Sequence, residues 1–252
     1  MTEDSLVTLE SLEPGILVLQ MQNPEGKNTF SEPFVEELRS CLDRLGQDGE
    51  AKVCLLRGLP KIFCAGAPKE LLLRLADGEL APTDIVLPEQ MLDLPVPVIA
   101  AMEGHAIGGG LALGLCADVV LAARESSYGC SFMSLGFTPG MGTTSLLQDA
   151  VGPYLAREMM LGGQYFRGSH LENRGNLNYV LPREKVWPKA LAVARKMADK
   201  PRYALELLKR QLSVERRQRF QAAKTAEAQM HRICFDNPET RQRIKDEYVS
   251  GE

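Results

Sequence analysis

The chain has 252 residues, of which 44% are apolar and 25% are charged, and these proportions are typical of a globular protein that buries a substantial core. Its net charge of -4 gives no electrostatic reason to expect a nucleic-acid partner, and no apolar run reaches the roughly 18 residues that a membrane span needs. The acidic start MTEDSLVTLE resembles neither a signal peptide nor a transit peptide, and the six cysteines form no C-x-x-C pair, so we expect a cytoplasmic protein with reduced thiols and no metal site.

The first part of the chain alternates strand-like and helical segments. LVTLESLEPGILVLQMQ contains two short apolar runs around Glu13, Pro14 and Gly15, which predicts a β-hairpin. In FSEPFVEELRSCLDRLGQD the apolar residues have a helical period, which predicts a helix that starts at Ser31 and ends at Gly46. Strands are predicted for AKVCLLRGL, PVPVIAAMEG and DVVLAARES, and a helix for PKELLLRLADGE. This alternation predicts an α/β fold with crossover connections.

The C-terminal part is different in character. From about Trp187 the pattern is almost continuously helical, with breaks expected at Pro201 and near Ser213. We therefore divide the chain into an α/β core, residues 1–186, and a helical region, residues 187–252, that packs on the core or on a neighbouring subunit.

The segment AMEGHAIGGGLALGLCADVV contains three consecutive glycines, Gly108 to Gly110, at the start of a helical pattern. Glycine lowers helix propensity, so this run needs a reason. A dinucleotide-binding fingerprint would need a third glycine where Leu113 stands, and GFTPGMGTT lacks the lysine of a phosphate-binding loop. The chain also has no G-x-S-x-G elbow and no H-E-x-x-H pair among its three histidines.

A glycine turn between a strand and a helix leaves backbone amides unpaired at the positive end of the helix, where they attract negative charge. An amide that points at a reacting oxygen forms part of an oxyanion hole. The second small-residue turn, FCAGAPKE, offers the second amide that such a hole requires. The alternative is that the glycines only allow a helix and a strand to pack closely.

Three motifs follow one another along the chain: KIFCAGAPKE, then MEGHAIGGGLALGLCADVVLAARES, then SLGFTPGMGTTSLLQDAVGPYLAREMMLGGQYFRGSHLENRGNLNYVLP. With them the chain resembles the crotonase (enoyl-CoA hydratase/isomerase) superfamily over almost its whole length. The resemblance implies a spiral of strand–strand–helix units, a C-terminal helical region, and a homotrimer or a dimer of trimers. It also implies an acyl thioester ligand whose carbonyl oxygen lies between the backbone amides of Ala67 and Gly109.

The hydratases that the chain resembles carry one glutamate shortly after the triple glycine and a second one further along. Here the matching positions are Ala112 and Phe132, and neither side chain titrates, so hydration by general acid–base catalysis is disfavoured. An oxyanion hole alone still suits a decarboxylation, because the departing CO₂ leaves its electron pair on a thioester enolate or dienolate. Such a reaction also needs a group that orients the carboxylate and a proton source.

CAGAPKELLLRLADGE, GFTPGMGTT and HRICFDNPE narrow the resemblance to the decarboxylases of polyketide β-branching. Their reaction converts a 3-methylglutaconyl group on an acyl carrier protein into a 3-methylcrotonyl group. The resemblance implies that Lys69 and His231 are functional residues. We expect Lys69 to orient the carboxylate and His231, or water held by it, to supply the proton, with Lys69 as the rival donor. It implies no cofactor besides the phosphopantetheine arm of the carrier, or CoA in its place.

The side chains that follow DVVLAARES are candidates for the acyl pocket. We expect the apolar residues Phe132, Met133 and Leu135 to line it and to exclude water, with Tyr128 as a weaker candidate. His105, which precedes the glycines, is expected to be a structural residue that packs the turn.

Two other functions fit the same residues. The chain is an enoyl-thioester isomerase or hydratase if Lys69 or His231 acts as a base, and an inactive scaffold that recruits a carrier protein if neither acts. The sequence does not distinguish a carrier-protein thioester from a CoA thioester, a trimer from a hexamer, or action of His231 in its own subunit from action in a neighbour. A small basic cluster in the helical region suits either thioester: Arg216, Arg217, Arg219 and Lys224.

Overall fold

The computed structural model describes residues 5–80 and 87–248, and this part of the chain forms two β-sheets surrounded by helices. The first sheet contains six strands in the order β1-β2-β3-β5-β7-β10. They are β1 (Val7–Glu13), β2 (Ile16–Met21), β3 (Val53–Arg57), β5 (Val98–Met102), β7 (Val119–Ala123) and β10 (Tyr179–Leu181). The predicted hairpin is confirmed, because β1 and β2 pair antiparallel around Gly15, and the other neighbours in this sheet pair in parallel.

The second sheet consists of four strands of three residues each, in the order β4-β6-β8-β9. They are β4 (Ile62–Cys64), β6 (His105–Ile107), β8 (Ser127–Gly129) and β9 (Tyr165–Arg167). The first three pair in parallel, and β9 runs antiparallel to β8. We did not predict this sheet, because a strand of three residues is too short to show an alternating apolar pattern.

Helices complete each turn of the chain. Each of three turns has one strand in the first sheet, one strand in the second sheet and then a helix. Strands β3 and β4 precede α2 (Lys69–Ala76), β5 and β6 precede α4 (Gly109–Leu115), and β7 and β8 precede α5 (Thr143–Val151). The remaining helices are α1 (Glu32–Gln47), α3 (Leu87–Asp93), a 3₁₀ turn (Met133–Leu135), α6 (Pro153–Gly162), α7 (Gly168–Leu171), α8 (Arg183–Ala198), α9 (Arg202–Phe235) and α10 (Pro238–Glu247). The repeated strand–strand–helix order confirms the predicted spiral.

The two faces of the first sheet belong to different cores, as the two-residue repeat of a strand requires. Val53 and Leu55 of β3 face one side and pack with the apolar stripe of α8. Cys54 and Leu56 of the same strand face the larger core. That core also takes in the predicted apolar face of α1, formed by Phe34, Leu38, Cys41, Leu42 and Leu45.

The C-terminal region is helical, as predicted. The break at Pro201 is confirmed, since this residue caps α9. The break expected near Ser213 is wrong, because α9 is 34 residues long and continues through this position. Ser213 is buried, and its tertiary packing outweighs the weak helix propensity of serine. The division expected after residue 186 falls inside α8. None of the helices in the described ranges has the length and apolar character that a bilayer crossing requires.

Candidate active site

The glycine run connects β6 to α4, and its residues meet different steric demands. Gly108 has a φ of 53° and a ψ of -121°, a conformation that side chains disfavour. A Cβ on Gly109 would lie 2.6 Å from the sulfur of Met141, and a Cβ on Gly110 would overlap the carbonyl oxygen of Cys64. The glycine run is therefore consistent with both interpretations of the sequence. It allows a helix and a strand to pack closely, and it leaves backbone amides without a covering side chain.

The first small-residue turn lies directly against this run. Gly66 has a φ of 81°, and a Cβ at this position would lie 3.3 Å from the amide nitrogen of Gly109. The Phe30 N–H donates to the Gly66 carbonyl oxygen at 2.8 Å, which holds the turn in place. Within the described ranges, no acceptor meets the N–H of Ala67 or that of Gly109. Two neighbouring turns thus each offer an unpaired amide, as an oxyanion hole requires.

Ala67 and Gly109 line one cavity of about 530 Å³. Its wall is mainly apolar and includes Ile62, Leu72, Leu75, Ile107, Phe132, Leu135, Phe137, Met141 and Phe235. Polar side chains on the wall are His105, Ser127, Ser131, Ser134, Tyr165, His231, Glu247 and Tyr248. No lysine or arginine of the described ranges lines the cavity, and the segments 1–4, 81–86 and 249–252 contain none in their sequence.

The positions that match the hydratase glutamates carry no acid. Ala112 is buried inside α4, and the ring of Phe132 forms part of the cavity wall beside Gly108. Among residues 5–80 and 87–248, Glu247 supplies the only carboxyl group on the wall, and it accepts a hydrogen bond from Arg243 at 3.1 Å. The wall offers an acyl chain an apolar surface and little acid–base chemistry.

His231, predicted to supply the proton, lines this cavity and is 8% exposed. Its Nε2 lies 2.7 Å from the carbonyl oxygen of Thr138, and because a carbonyl only accepts, Nε2 carries the proton and Nδ1 is unprotonated in the neutral ring. Phe137 and Phe235 pack edge-on against the imidazole at centroid distances of 5.9 and 5.5 Å. Burial lowers the pKa of His231, although the carbonyl of Thr138 acts in the opposite direction.

Lys69, predicted to orient the substrate carboxylate, is the first residue of α2 and does not line the cavity. Its Nζ donates to the carbonyl oxygen of Lys245, near the end of α10, at 2.5 Å. The structure therefore brings together Ala67, Gly109 and His231 but holds the ammonium of Lys69 on the C-terminal helix.

Of the four residues expected in the acyl pocket, two line the cavity and two do not. Phe132 and Leu135 line the cavity, whereas Met133 is 39% exposed and Tyr128 lies in the core. The Tyr128 hydroxyl accepts from the N–H of Ala123 at 2.7 Å and donates to the carbonyl of Met102 at 2.8 Å. Tyr128 belongs to β8, where successive side chains point to opposite faces, and its position in this unpredicted strand directs the ring away from the cavity.

Among the cavity-wall residues that were not predicted to contribute, three make contacts that bear on the site. Met141 has a φ of 60° and lies over Gly109, and the two glycines that flank it in GFTPGMGTT were the available signal. Tyr248 donates from its hydroxyl to the Ala67 carbonyl at 2.9 Å, and burial raises its pKa to about 12. His105 has the expected structural contact, since its Nδ1 accepts from a backbone N–H at 2.8 Å, but its ring also borders the cavity.

The basic cluster of the helical region is already occupied by partners. Arg216 donates to carbonyl oxygens at the C-terminal end of α4. The other three pair with acids: Arg217 with Asp93, Arg219 with Asp149 and Glu215, and Lys224 with Glu89. The cluster ties α9 to α3, α4 and α5, so these residues do not form a free cationic surface. Nowhere in the described ranges do three His, Cys, Asp or Glu side chains group as metal ligands would.

Two sheets joined by strand–strand–helix turns, with unpaired backbone amides at the wall of an apolar cavity, are the arrangement that the resemblance to the crotonase superfamily implies. The chain belongs to the enoyl-CoA hydratase/isomerase family, whose sequence profile matches residues 11–249. It is 39% identical to the bacillaene synthase decarboxylase PksI of Bacillus subtilis (strain 168) over 244 residues, which are 97% of this chain and 98% of PksI. The predicted crotonase fold is confirmed.

Two solved structures extend this similarity. A structure from a dehydratase/decarboxylase enzyme couple involved in polyketide β-branching matches with a TM-score of 0.94 and 39% identity, covering 97% of this chain and 96% of the other. The ECH2 decarboxylase domain of CurF from Lyngbya majuscula matches with a TM-score of 0.91 and 37% identity, covering 97% of this chain and 100% of that domain. These similarities confirm the resemblance to β-branching decarboxylases that the motifs predict.

Proposed function

We propose that the protein is a decarboxylase of polyketide β-branch formation. It removes CO₂ from a 3-methylglutaconyl thioester on an acyl carrier protein and leaves a 3-methylcrotonyl thioester on the same carrier. One observation carries the proposal: the unpaired amides of Ala67 and Gly109 border a cavity whose wall lacks both hydratase acids. The similarity to PksI and to the CurF domain, both named as decarboxylases, supports the same reaction.

In this mechanism the thioester carbonyl oxygen accepts hydrogen bonds from the amides of Ala67 and Gly109. Cleavage of the C4–C5 bond releases CO₂, and the bonding electron pair spreads from C4 to the thioester oxygen as a dienolate. Negative charge on that oxygen is greater in the transition state than in the substrate, so the two amides bind the transition state more strongly. Protonation at C4 gives the α,β-unsaturated product, and protonation at C2 gives its β,γ isomer.

The apolar wall also favours the loss of CO₂. A carboxylate placed near Phe132, Leu135 and Phe137 loses hydration, whereas neutral CO₂ needs little. A cation that held the carboxylate too tightly would stabilise the substrate and raise the barrier. The orienting role predicted for Lys69 therefore requires a loose contact with the carboxylate.

We assign the proton delivery to His231, either from its imidazolium form or from a water molecule that it holds, and solvent then replaces the proton. The lowered pKa makes the imidazolium a stronger acid and a minor species at neutral pH. The role predicted for Lys69 requires its ammonium to leave the carbonyl of Lys245 and to turn towards the cavity. Variants of the two residues decide between them.

The proposed partners are an acyl carrier protein and further copies of the chain. The carrier's phosphopantetheine arm brings the thioester, and the reaction needs no other cofactor. Self-association as a homotrimer or a dimer of trimers is supported by large apolar side chains that α9 exposes, namely Tyr203, Leu207, Leu208 and Leu212. Light scattering after gel filtration tests this part: a trimer or hexamer is expected, and a monomer would contradict it.

The test of the function is mass spectrometry of the 3-methylglutaconyl carrier protein incubated with wild type, His231→Ala and Lys69→Ala. We expect wild type to remove the mass of one CO₂ and His231→Ala to do so at least about tenfold more slowly. A slow Lys69→Ala variant would support its predicted role, and an unchanged one would leave the proton to His231. Hydration or isomerisation without CO₂ loss would overturn the proposal.

A further inference from the structure

Glu227 is a buried carboxylate that the mechanism above does not use. It lies on α9, one turn before His231, and is 2% exposed. One oxygen accepts from the N–H of Gly142 at 2.7 Å, and the other accepts from the N–H and the hydroxyl of Thr144 at 2.8 and 2.6 Å. Burial raises the pKa of Glu227, while these donors lower it. All three partners are donors, so the ionised carboxylate is the form that satisfies them.

The turn that Glu227 holds has an unusual backbone. Gly142 has a φ of 76° and Met141 a φ of 60°, in the left-handed region that residues other than glycine disfavour. The N–H and the hydroxyl of Thr143 close the turn by donating to the carbonyl of Gly140 at 3.1 and 2.5 Å. Such a conformation persists only where surrounding contacts impose it, and Glu227 supplies contacts of this kind.

The same turn touches both halves of the proposed site. On one side, the sulfur of Met141 lies over Gly109 of the oxyanion hole. On the other side, the ring of His231 fills the space beside Gly140, and its Nε2 donates to Thr138. Displacement of this turn would therefore move the wall of the hole and the hydrogen-bond partner of the histidine together.

We propose that Glu227 is a positioning residue of the active site: its carboxylate fixes the turn of residues 138–144 and thereby sets the place of His231 relative to the oxyanion hole. The inference rests on the proposed function for its catalytic consequence. Its structural consequence, the placement of His231, is measurable without any substrate.

Glu227→Gln is the informative variant, because the amide retains the shape of the side chain but turns an NH₂ group towards a donor. Asp118→Asn is the matched control. Asp118 also accepts two hydrogen bonds, from Lys209 Nζ at 2.8 Å and from the N–H of Val98 at 2.7 Å, and it anchors α9 at a distance from the cavity. Lys209 precedes Glu227 by about 27 Å along the helix axis.

The measurements are steady-state decarboxylation and NMR of the three histidine rings, with the His231 signal assigned by its absence in His231→Ala. For Glu227→Gln we expect kcat to fall about tenfold or more at a KM within about twofold, and the His231 signal to shift. For Asp118→Asn we expect neither effect, even if this variant lowers the melting temperature as much as Glu227→Gln does.

A Glu227→Gln variant with wild-type kcat and an unmoved His231 signal would overturn the inference, as would equal effects in both variants. If Glu227→Gln does not fold, Thr144→Val removes only the hydroxyl contact and should shift kcat and the His231 signal in the same direction by less. If wild type releases no CO₂, the proposed function fails, while the His231 signal still tests the positioning role.

Discussion

Gly109→Ala tests whether the backbone at the proposed oxyanion hole must remain without a side chain. The new Cβ would lie 2.6 Å from the sulfur of Met141 and 2.7 Å from Cε2 of Phe30. Carbon and sulfur atoms normally stay about 3.5–4.0 Å apart, so roughly 1 Å must be absorbed by the turn that carries Met141 and by a buried ring. Gly109 itself has a helical backbone, so the substitution adds steric overlap without a backbone conformation that alanine avoids.

A displacement of about 1 Å in a catalytic group lowers the rate by about 10²-fold, which corresponds to about 2.7 kcal/mol of transition-state stabilisation. Overpacking lowers the free energy of unfolding by about 1–3 kcal/mol, so the variant should still fold but have a lower melting temperature. The assay is CO₂ release from the 3-methylglutaconyl carrier protein, beside thermal unfolding. Gly46→Ala, within α1, is the control: the added Cβ would have Cδ2 of Leu94 as its nearest neighbour outside the helix backbone, at 4.0 Å, and alanine should stabilise the protein by about 0.5–1 kcal/mol. A folded Gly109→Ala variant with wild-type turnover would contradict this prediction.

Three further predictions concern residues whose places differ from, or add to, the sequence expectations. Tyr128→Phe leaves two buried backbone groups without their partner and should lower the free energy of unfolding by about 1–3 kcal/mol in urea, with turnover preserved. Leu135→Ala should impair turnover by enlarging the cavity, whereas Met133→Ala should leave kcat/KM unchanged; equal losses would contradict this. Because burial lowers the pKa of His231, the unfolded chain binds more protons below about pH 6.5, so stability should fall on acidification, and less steeply in His231→Gln.

The parts of the fold that were predictable are those with a long periodic pattern. The apolar spacing of α1 and the turn at Gly15 are local signals, and the structure has both elements where they were expected. The second sheet was missed, because its three-residue strands are defined by their pairing with distant segments. The uninterrupted α9 was missed because the buried environment of Ser213 is not encoded in its immediate neighbours.

In the candidate site, too, features set by local sequence were predictable and features set by long-range contacts were not. The family resemblance predicts Ala67 and Gly109 as the amides of the hole, and the structure places both residues on the cavity wall. Side-chain direction is harder to predict: Lys69 begins a helix and bonds to a carbonyl 176 residues away. Glu227 meets its turn across 85 residues, so no local pattern could have indicated it.

The proposed reaction converts a carboxylated enoyl thioester into a dienolate inside the cavity and then protonates it. The most direct measurement is turnover of the 3-methylglutaconyl carrier protein in D₂O, followed by mass spectrometry of the acyl group. We expect an acyl group that has lost one CO₂ and gained one deuterium from solvent at C4 or C2. An acyl group of unchanged mass, or one that has gained water and kept its carboxylate, would contradict it.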